Sequence, residues 1–151
     1  MPETMQEQEK RFYDLMQKFD RLYEDYAKAK GMTYMSMTVL ETICMHKENC
    51  TQKLICEETH YPKQSVNLIV KSFWQEGYLK LEELAEDRRN KRIVLTEKGE
   101  QYVKESVGAL WTIDETATEA MSAPQREELL RLLMIYADAY ERGIKEATGK
   151  N

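Results

Sequence analysis

The sequence predicts a mainly α-helical chain with one small β-hairpin: a winged helix-turn-helix carried between long N- and C-terminal dimerisation helices. Three observations predict it. Residues 51–99, TQKLICEETHYPKQSVNLIVKSFWQEGYLKLEELAEDRRNKRIVLTEKG, read as helix, turn, helix, strand, charged loop, strand and the start of another helix. Elsewhere apolar residues recur at spacings of three and four, the period of amphipathic helices. The length, 151 residues with 42% hydrophobic and 32% charged, suits one helix-rich domain with a real core. The expected organisation is a single domain over residues 1–151, with the winged lobe at 33–99 and the dimerisation helices at 5–30 and 100–148.

In chain order, Phe12, Leu15, Met16, Phe19, Leu22, Tyr23 and Tyr26 predict a long first helix that ends near Gly31. Thr33 is placed to cap a second helix, running to about Lys47 with Met37, Val39, Leu40, Ile43 and Cys44 on its apolar side. Thr51 caps a third, with Leu54, Ile55 and Cys56 as its apolar bulk, Cys56 in a small buried position. Pro62 is expected in the first turn of a fourth helix, where a missing N–H costs nothing. There Val66, Ile69, Val70 and Phe73 form a buried stripe, while Lys63, Gln64, Asn67 and Lys71 face outward and Gly77 closes the helix. YLKLEEL and KRIVLT then read as a hairpin whose tip, Ala85 to Asn90, carries Arg88 and Arg89.

The outward face of the fourth helix has the chemistry of a DNA groove reader. Lysine, glutamine and asparagine can hydrogen-bond base edges in the major groove, mostly from the N-terminal part of a recognition helix. An arginine-bearing hairpin tip suits phosphate or a narrow minor groove. The plainer alternative is an ordinary solvated helix face; the hairpin directly after the helix-turn-helix shifts the balance toward nucleic acid. Expected DNA contacts are Lys63, Gln64, Ser65, Asn67, Lys71, Arg88, Arg89 and Lys91.

The string Asp87-Arg88-Arg89-Asn90-Lys91 followed by Val94-Leu95-Thr96-Glu97-Lys98-Gly99 resembles the DxRxxxxxLTxxG wing signature of the multiple-antibiotic-resistance regulator (MarR) family. QSVNLIVKSFWQEGYL resembles that family's recognition helix and closing glycine. The resemblance implies a dimeric winged-helix transcription factor. It gives Asp87 the role of bracing the wing, Arg89 that of entering the minor groove, and Thr96 that of capping the next helix, which its position supports independently. The segment His60-Tyr61-Pro62-Lys63-Gln64 departs from the small hydroxylated residues frequent there, which leaves the operator sequence open. The resemblance also implies an effector cleft for small aromatic acids or drugs, which Tyr13, Met32, Tyr34, Met37 and Trp111 could line; plain core packing is the alternative for each.

Net charge is −5, against DNA binding at first sight, but residues 61–98 carry eight basic and six acidic residues. That local excess is modest, so geometry and a second copy must supply much of the binding. Beyond the wing, Tyr102, Val103, Val107, Leu110, Trp111 and Met121 continue a long helix, and Ser122-Ala123-Pro124-Gln125 reads as a capping box. The last helix spreads Leu129, Leu130, Leu132, Leu133 and Met134 around most of its circumference, more than one-sided packing needs, which points to a homodimer presenting two recognition helices to a palindromic site.

Three cysteines without a signal-like N-terminus argue against a disulfide framework and for the cytoplasm, and no run is long enough to span a membrane. Cys44, Cys50, Cys56, His46 and His60 raise metal or thiol sensing as alternatives; structural cysteines are the default, and no metal or cofactor is expected. Glycine-rich phosphate loops, GxSxG and HExxH are absent, so an enzyme is not expected. The expected function is a sequence-specific transcriptional regulator, a repressor in preference to an activator, released from DNA by a small-molecule effector. The competing readings are a winged-helix protein-interaction module and a metal- or thiol-sensing regulator.

Overall fold

The computed structural model describes residues 3–85 and 90–149. Its elements are α1 (Met5–Ala29), α2 (Tyr34–Met45), α3 (Gln52–Thr59), α4 (Lys63–Gln75), β1 (Leu79–Glu83), β2 (Lys91–Leu95), α5 (Glu97–Val103), α6 (Ala109–Glu119) and α7 (Ala123–Thr148). A single π turn, Lys104–Gly108, joins α5 to α6. The fold is thus mainly helical with one two-stranded antiparallel hairpin. By chain contacts it divides into two compact units, Met1–Ala109 and Leu110–Asn151.

Local chemistry sets most helix boundaries in the first unit. Thr4 and Glu7 cap α1 reciprocally, the Thr4 N–H donating to Glu7 Oε2 at 2.7 Å and the Glu7 N–H to Thr4 Oγ1 at 3.3 Å. Thr33 Oγ1 accepts from the Ser36 N–H at 3.1 Å, and Thr51 Oγ1 from the Leu54 N–H, also at 3.1 Å. Gly31 and Gly77 take φ of +73° and +78° just past α1 and α4, which a side chain would resist. Pro62 differs from expectation. It stands immediately before α4, with an extended ψ of 137°, and its carbonyl accepts from the Val66 N–H at 3.1 Å. The ring still pre-sets φ for entry into the helix, from one position earlier.

The core of this unit is built by α2, α3, α4, the hairpin and the start of α5. Met37, Leu40 and Ile43 of α2, Ile55 of α3, Val66 and Val70 of α4, and Ile93 of β2 are all essentially inaccessible to solvent. Each such side chain contributes about 1.5–3 kcal/mol of burial. Tyr23 fastens α1 to α2 through hydrogen bonds to Glu41 and Thr38. Burial and the Glu41 carboxylate push its phenol far above the usual range, so it stays protonated. The helix expected to run unbroken from Thr96 is instead interrupted by the π turn. There the Tyr26 hydroxyl donates to the Ser106 carbonyl at 2.6 Å, and Ser106 Oγ donates to the Tyr102 carbonyl at 2.7 Å.

The second unit is dominated by α7. The Ser122 N–H donates to Gln125 Oε1 at 2.8 Å, with Pro124 in the first turn. None of the residues of α7 is buried. Leu129, Leu130, Leu132, Leu133, Met134, Ile135, Tyr136, Tyr140 and Ile144 are all substantially exposed in the single chain. Among the described residues, no helix is long and apolar enough to cross a membrane.

Candidate nucleic-acid interface

Helices α3 and α4 form the helix-turn-helix. Helix α3 stops at His60, whose φ of +56° is left-handed and whose N–H donates to the Cys56 carbonyl at 2.9 Å. The turn is held by Thr59, whose hydroxyl donates to the Ile55 carbonyl at 2.6 Å and accepts from the Tyr61 N–H at 3.2 Å. This places α4 with Val66, Val70 and Phe73 on the core side and Ile69 half-buried. Lys63, Gln64, Asn67 and Lys71 are all exposed on the opposite face, and Ser65 lies half-buried at its edge. The face that sequence periodicity assigns to solvent is therefore free to enter a groove.

Leu68 is an addition that periodicity passed over. It sits four residues after Gln64 and three before Lys71, and is 66% exposed. On a helix those spacings make them neighbours on the same surface.

The hairpin pairs Leu79 with Leu95, Leu81 with Ile93 and Glu83 with Lys91. Leu79 and Ile93 point into the core. The base of the wing is tied to the turn before α3 by the Ile93 N–H, which donates to the Cys50 carbonyl at 2.8 Å, and by a bridge between Thr51 and Arg92. Arg92 also serves this attachment. It donates to Glu82 Oε2 at 2.5 Å and to the Glu48 carbonyl at 3.3 Å. Hydrogen bonds from Arg92 and Lys80 hold the Glu82 carboxyl below its ordinary pKa. Asp87, Arg88 and Arg89, the expected wing brace and minor-groove contacts, lie outside the described residues.

The wing's C-terminal strand runs directly into α5 through Thr96. Its hydroxyl accepts from the Gly99 N–H at 3.0 Å and donates to the Gly77 carbonyl at 2.6 Å, while its N–H donates to the Tyr78 carbonyl at 3.0 Å. Lys98 Nζ reaches the Glu76 carbonyl at 2.6 Å. One short segment thus closes α4, anchors β2 and starts α5.

Between α3, the start of α4 and the hairpin lies a groove of about 400 Å³, lined by Gln52, Lys53, Cys56, Lys63, Leu81, Asn90 and Lys91. Three lysines from three elements line it, Lys53 with its ammonium 3.7 Å from Glu57 Oε1, and such a basic wall suits a phosphate backbone. Lys63 and Lys91 were legible as candidates; Gln52 and Lys53 were not, because only the packing of α3 against α4 turns them to this side. Cys56, expected to be buried, is partly exposed on the groove wall. The short α3 gives its small side chain no cover on the side where the groove opens.

Cys44 and Cys50 are buried, and desolvation pushes both thiols up to about 12. Among the described residues, no three histidine, cysteine or carboxylate side chains gather as a metal site. Of the residues considered for an effector cleft, Met37 is fully buried and Met32 nearly so, whereas Tyr13 and Tyr34 are exposed. Trp111, in the second unit, is half-buried. Tyr34 stacks obliquely on Tyr23, ring centres 4.6 Å apart.

A model of the MarR family matches residues 30–90. No curated protein matches the chain. Among solved structures, the chain is similar to NMB1585, a MarR family regulator from Neisseria meningitidis, at 22% identity and a TM-score of 0.74, covering 93% of this chain and 98% of that one. It is similar to S. aureus MepR in a DNA complex at 15% identity and a TM-score of 0.68, covering 92% and 99%. CouR from Rhodococcus jostii RHA1, solved with p-coumaroyl-CoA, shares 17% identity and a TM-score of 0.65, covering 83% and 87%. At these identities the structures speak for a common fold.

Proposed function

We propose that this chain, a member of the MarR family through its matched residues 30–90, is a sequence-specific DNA-binding transcriptional regulator that acts as a homodimer and represses. The observation that carries the reading is the outward face of α4. Lys63, Gln64, Asn67 and Lys71 stand exposed together, beside a groove edged by Lys53, Lys63 and Lys91. Amide side chains can read adenine edges bidentately, and lysines serve guanine edges or phosphates. Arg88 and Arg89 join them by resemblance alone, as minor-groove or phosphate contacts, with Asp87 bracing the wing.

A homodimer is supported by α7. A 26-residue helix with none of its residues buried and leucines around its circumference is a poor surface for a lone chain. Covering it with a second copy removes that apolar area from water and, by two-fold symmetry, doubles the recognition helices. The modest basic excess of residues 61–98 makes the second copy necessary for useful affinity.

Release by a small aromatic effector is the regulatory part of the proposal. CouR, solved with an aromatic acyl-CoA, lends it support by similarity of fold. A ligand held against Tyr13, Tyr34 or Trp111 would act by favouring a dimer whose recognition helices no longer match the operator spacing. The buried Met32 and Met37 could take part only after local repacking. A regulator of this kind works on DNA in the cytoplasm, and the regulators it resembles offer no precedent for an enzyme.

Selection of bound duplexes from a random DNA library, with purified protein at moderate salt, tests the proposal. Enrichment of an inverted repeat with half-sites about ten base pairs apart is expected. No enrichment would refute sequence-specific binding and favour a winged helix used for protein contacts.

A further inference from the structure

The side chains of α4 assigned to base edges are polar, yet an apolar one stands exposed next to them. Leu68 is 66% exposed, while Val66, Val70 and Phe73 of the same helix are buried. It therefore takes no part in closing the core. It is flanked by Gln64 on the preceding turn and Lys71 on the following one, with Asn67 beside it, all exposed. A helical side chain leans toward the N-terminal turn, so the leucine covers surface near Gln64, in the half of α4 best placed to meet base edges.

From this placement we infer that Leu68 is a specificity-determining residue that packs against the C5-methyl group of a thymine in the major groove. The inference rests on the DNA-binding reading and names part of what that reading recognises. A leucine cannot donate or accept a hydrogen bond. Against cytosine N4, adenine N6 or guanine O6 it strips water from a polar edge and gives nothing back. The thymine methyl is the one apolar group that base pairs display in the major groove of unmodified DNA. Gln64, one turn before it on the same surface, and Asn67, further round the exposed face, can take adenine N6 and N7, so the face as a whole fits an A·T-containing half-site.

The test uses the duplex recovered from random-library selection. Each thymine under the protein is replaced singly by uracil, which removes the methyl and keeps the base pair. Binding of the parent and of Leu68→Ala is then measured by fluorescence anisotropy. In the parent, one thymine-to-uracil change per half-site should weaken binding about fourfold, the scale of one buried methyl. In Leu68→Ala that change should cost nothing, with penalties elsewhere unaltered. Thermal melting of Leu68→Ala should match the parent, because the side chain is outside the core. Equal uracil penalties in parent and variant at every position, or a selected half-site without thymine, would overturn the role of Leu68 while leaving DNA binding intact. Failure to select any duplex would instead overturn the DNA-binding reading, and this inference with it.

Discussion

The carbonyl oxygen of Tyr78 occupies the space a side chain on Gly99 would need: a Cβ built there would lie 2.0 Å from it. The closeness follows from Thr96, whose N–H bonds that same carbonyl and whose hydroxyl caps α5 from three residues before Gly99. The backbone leaving α4 and the backbone entering α5 are in direct contact. A shift of β1 or of the end of α4 against the start of α5 would disturb that contact. Gly99→Ala should therefore destabilise the fold by about 2–3 kcal/mol, the scale of forced overpacking against backbone. Urea denaturation followed by circular dichroism measures it, and a loss under 0.5 kcal/mol would show the contact to be slack.

Thr96 contributes through its hydroxyl. Thr96→Val keeps the shape but removes the cap to Gly99 and leaves the Gly77 carbonyl without its donor. A loss of about 1–2 kcal/mol in the same denaturation assay is expected, with Thr96→Ser recovering most of it. Equal stability of the valine and serine variants would contradict this.

The legible part of the fold was the part set by short-range chemistry. Thr33, Thr51 and Thr96 cap helices, and Gly31 and Gly77 end them, because capping involves residues within three or four positions. The polar face of α4 was legible for the same reason, as periodicity. Contacts between distant segments were not. Nothing near Gln52 or Lys53 announces that they edge a basic groove with Lys63 and Lys91. The π turn left no local mark either, since its Ser106 carbonyl is bonded by Tyr26, 80 residues away. Leu68, outside the buried stripe, drew no assignment, because only its exposure in the folded chain singles it out.

Arg89, assigned by resemblance to the minor groove, should behave as a contact that is largely indifferent to sequence. Arg89→Ala is expected to weaken binding to all duplexes by about 1–3 kcal/mol and to reduce the salt slope by about one. Anisotropy titrations at several salt concentrations decide the matter. An unchanged affinity and slope would remove the wing tip from the interface.

The exposed apolar surface of α7 yields a prediction about assembly. Leu130 and Met134 are 56% and 66% exposed in the single chain, so charges there need not harm the protomer itself. Leu130→Glu with Met134→Glu should shift the protein to monomer in sedimentation velocity and weaken operator binding at least tenfold. A variant that remains dimeric would place the dimer contact elsewhere.

Burial raises the thiols of Cys44 and Cys50 from an ordinary value near 9 to about 12, so folding suppresses their ionisation. Their stabilising share is complete below pH 9 and is lost as pH rises from about 9 to 12. At pH 8 in native protein, Cys56 alone should react quickly with a disulfide reagent, and all three cysteines only after denaturation. Rapid labelling of Cys44 or Cys50 would reopen a sensing role for them.

Whether α4 reads DNA sequence is decided by duplex selection run in parallel on the parent and on Asn67→Ala. An inverted repeat is expected for the parent, and for the variant the same repeat with preference relaxed at one base pair in each half-site. An identical consensus from both proteins would mean that Asn67 touches no base and that α4 does not read as assigned.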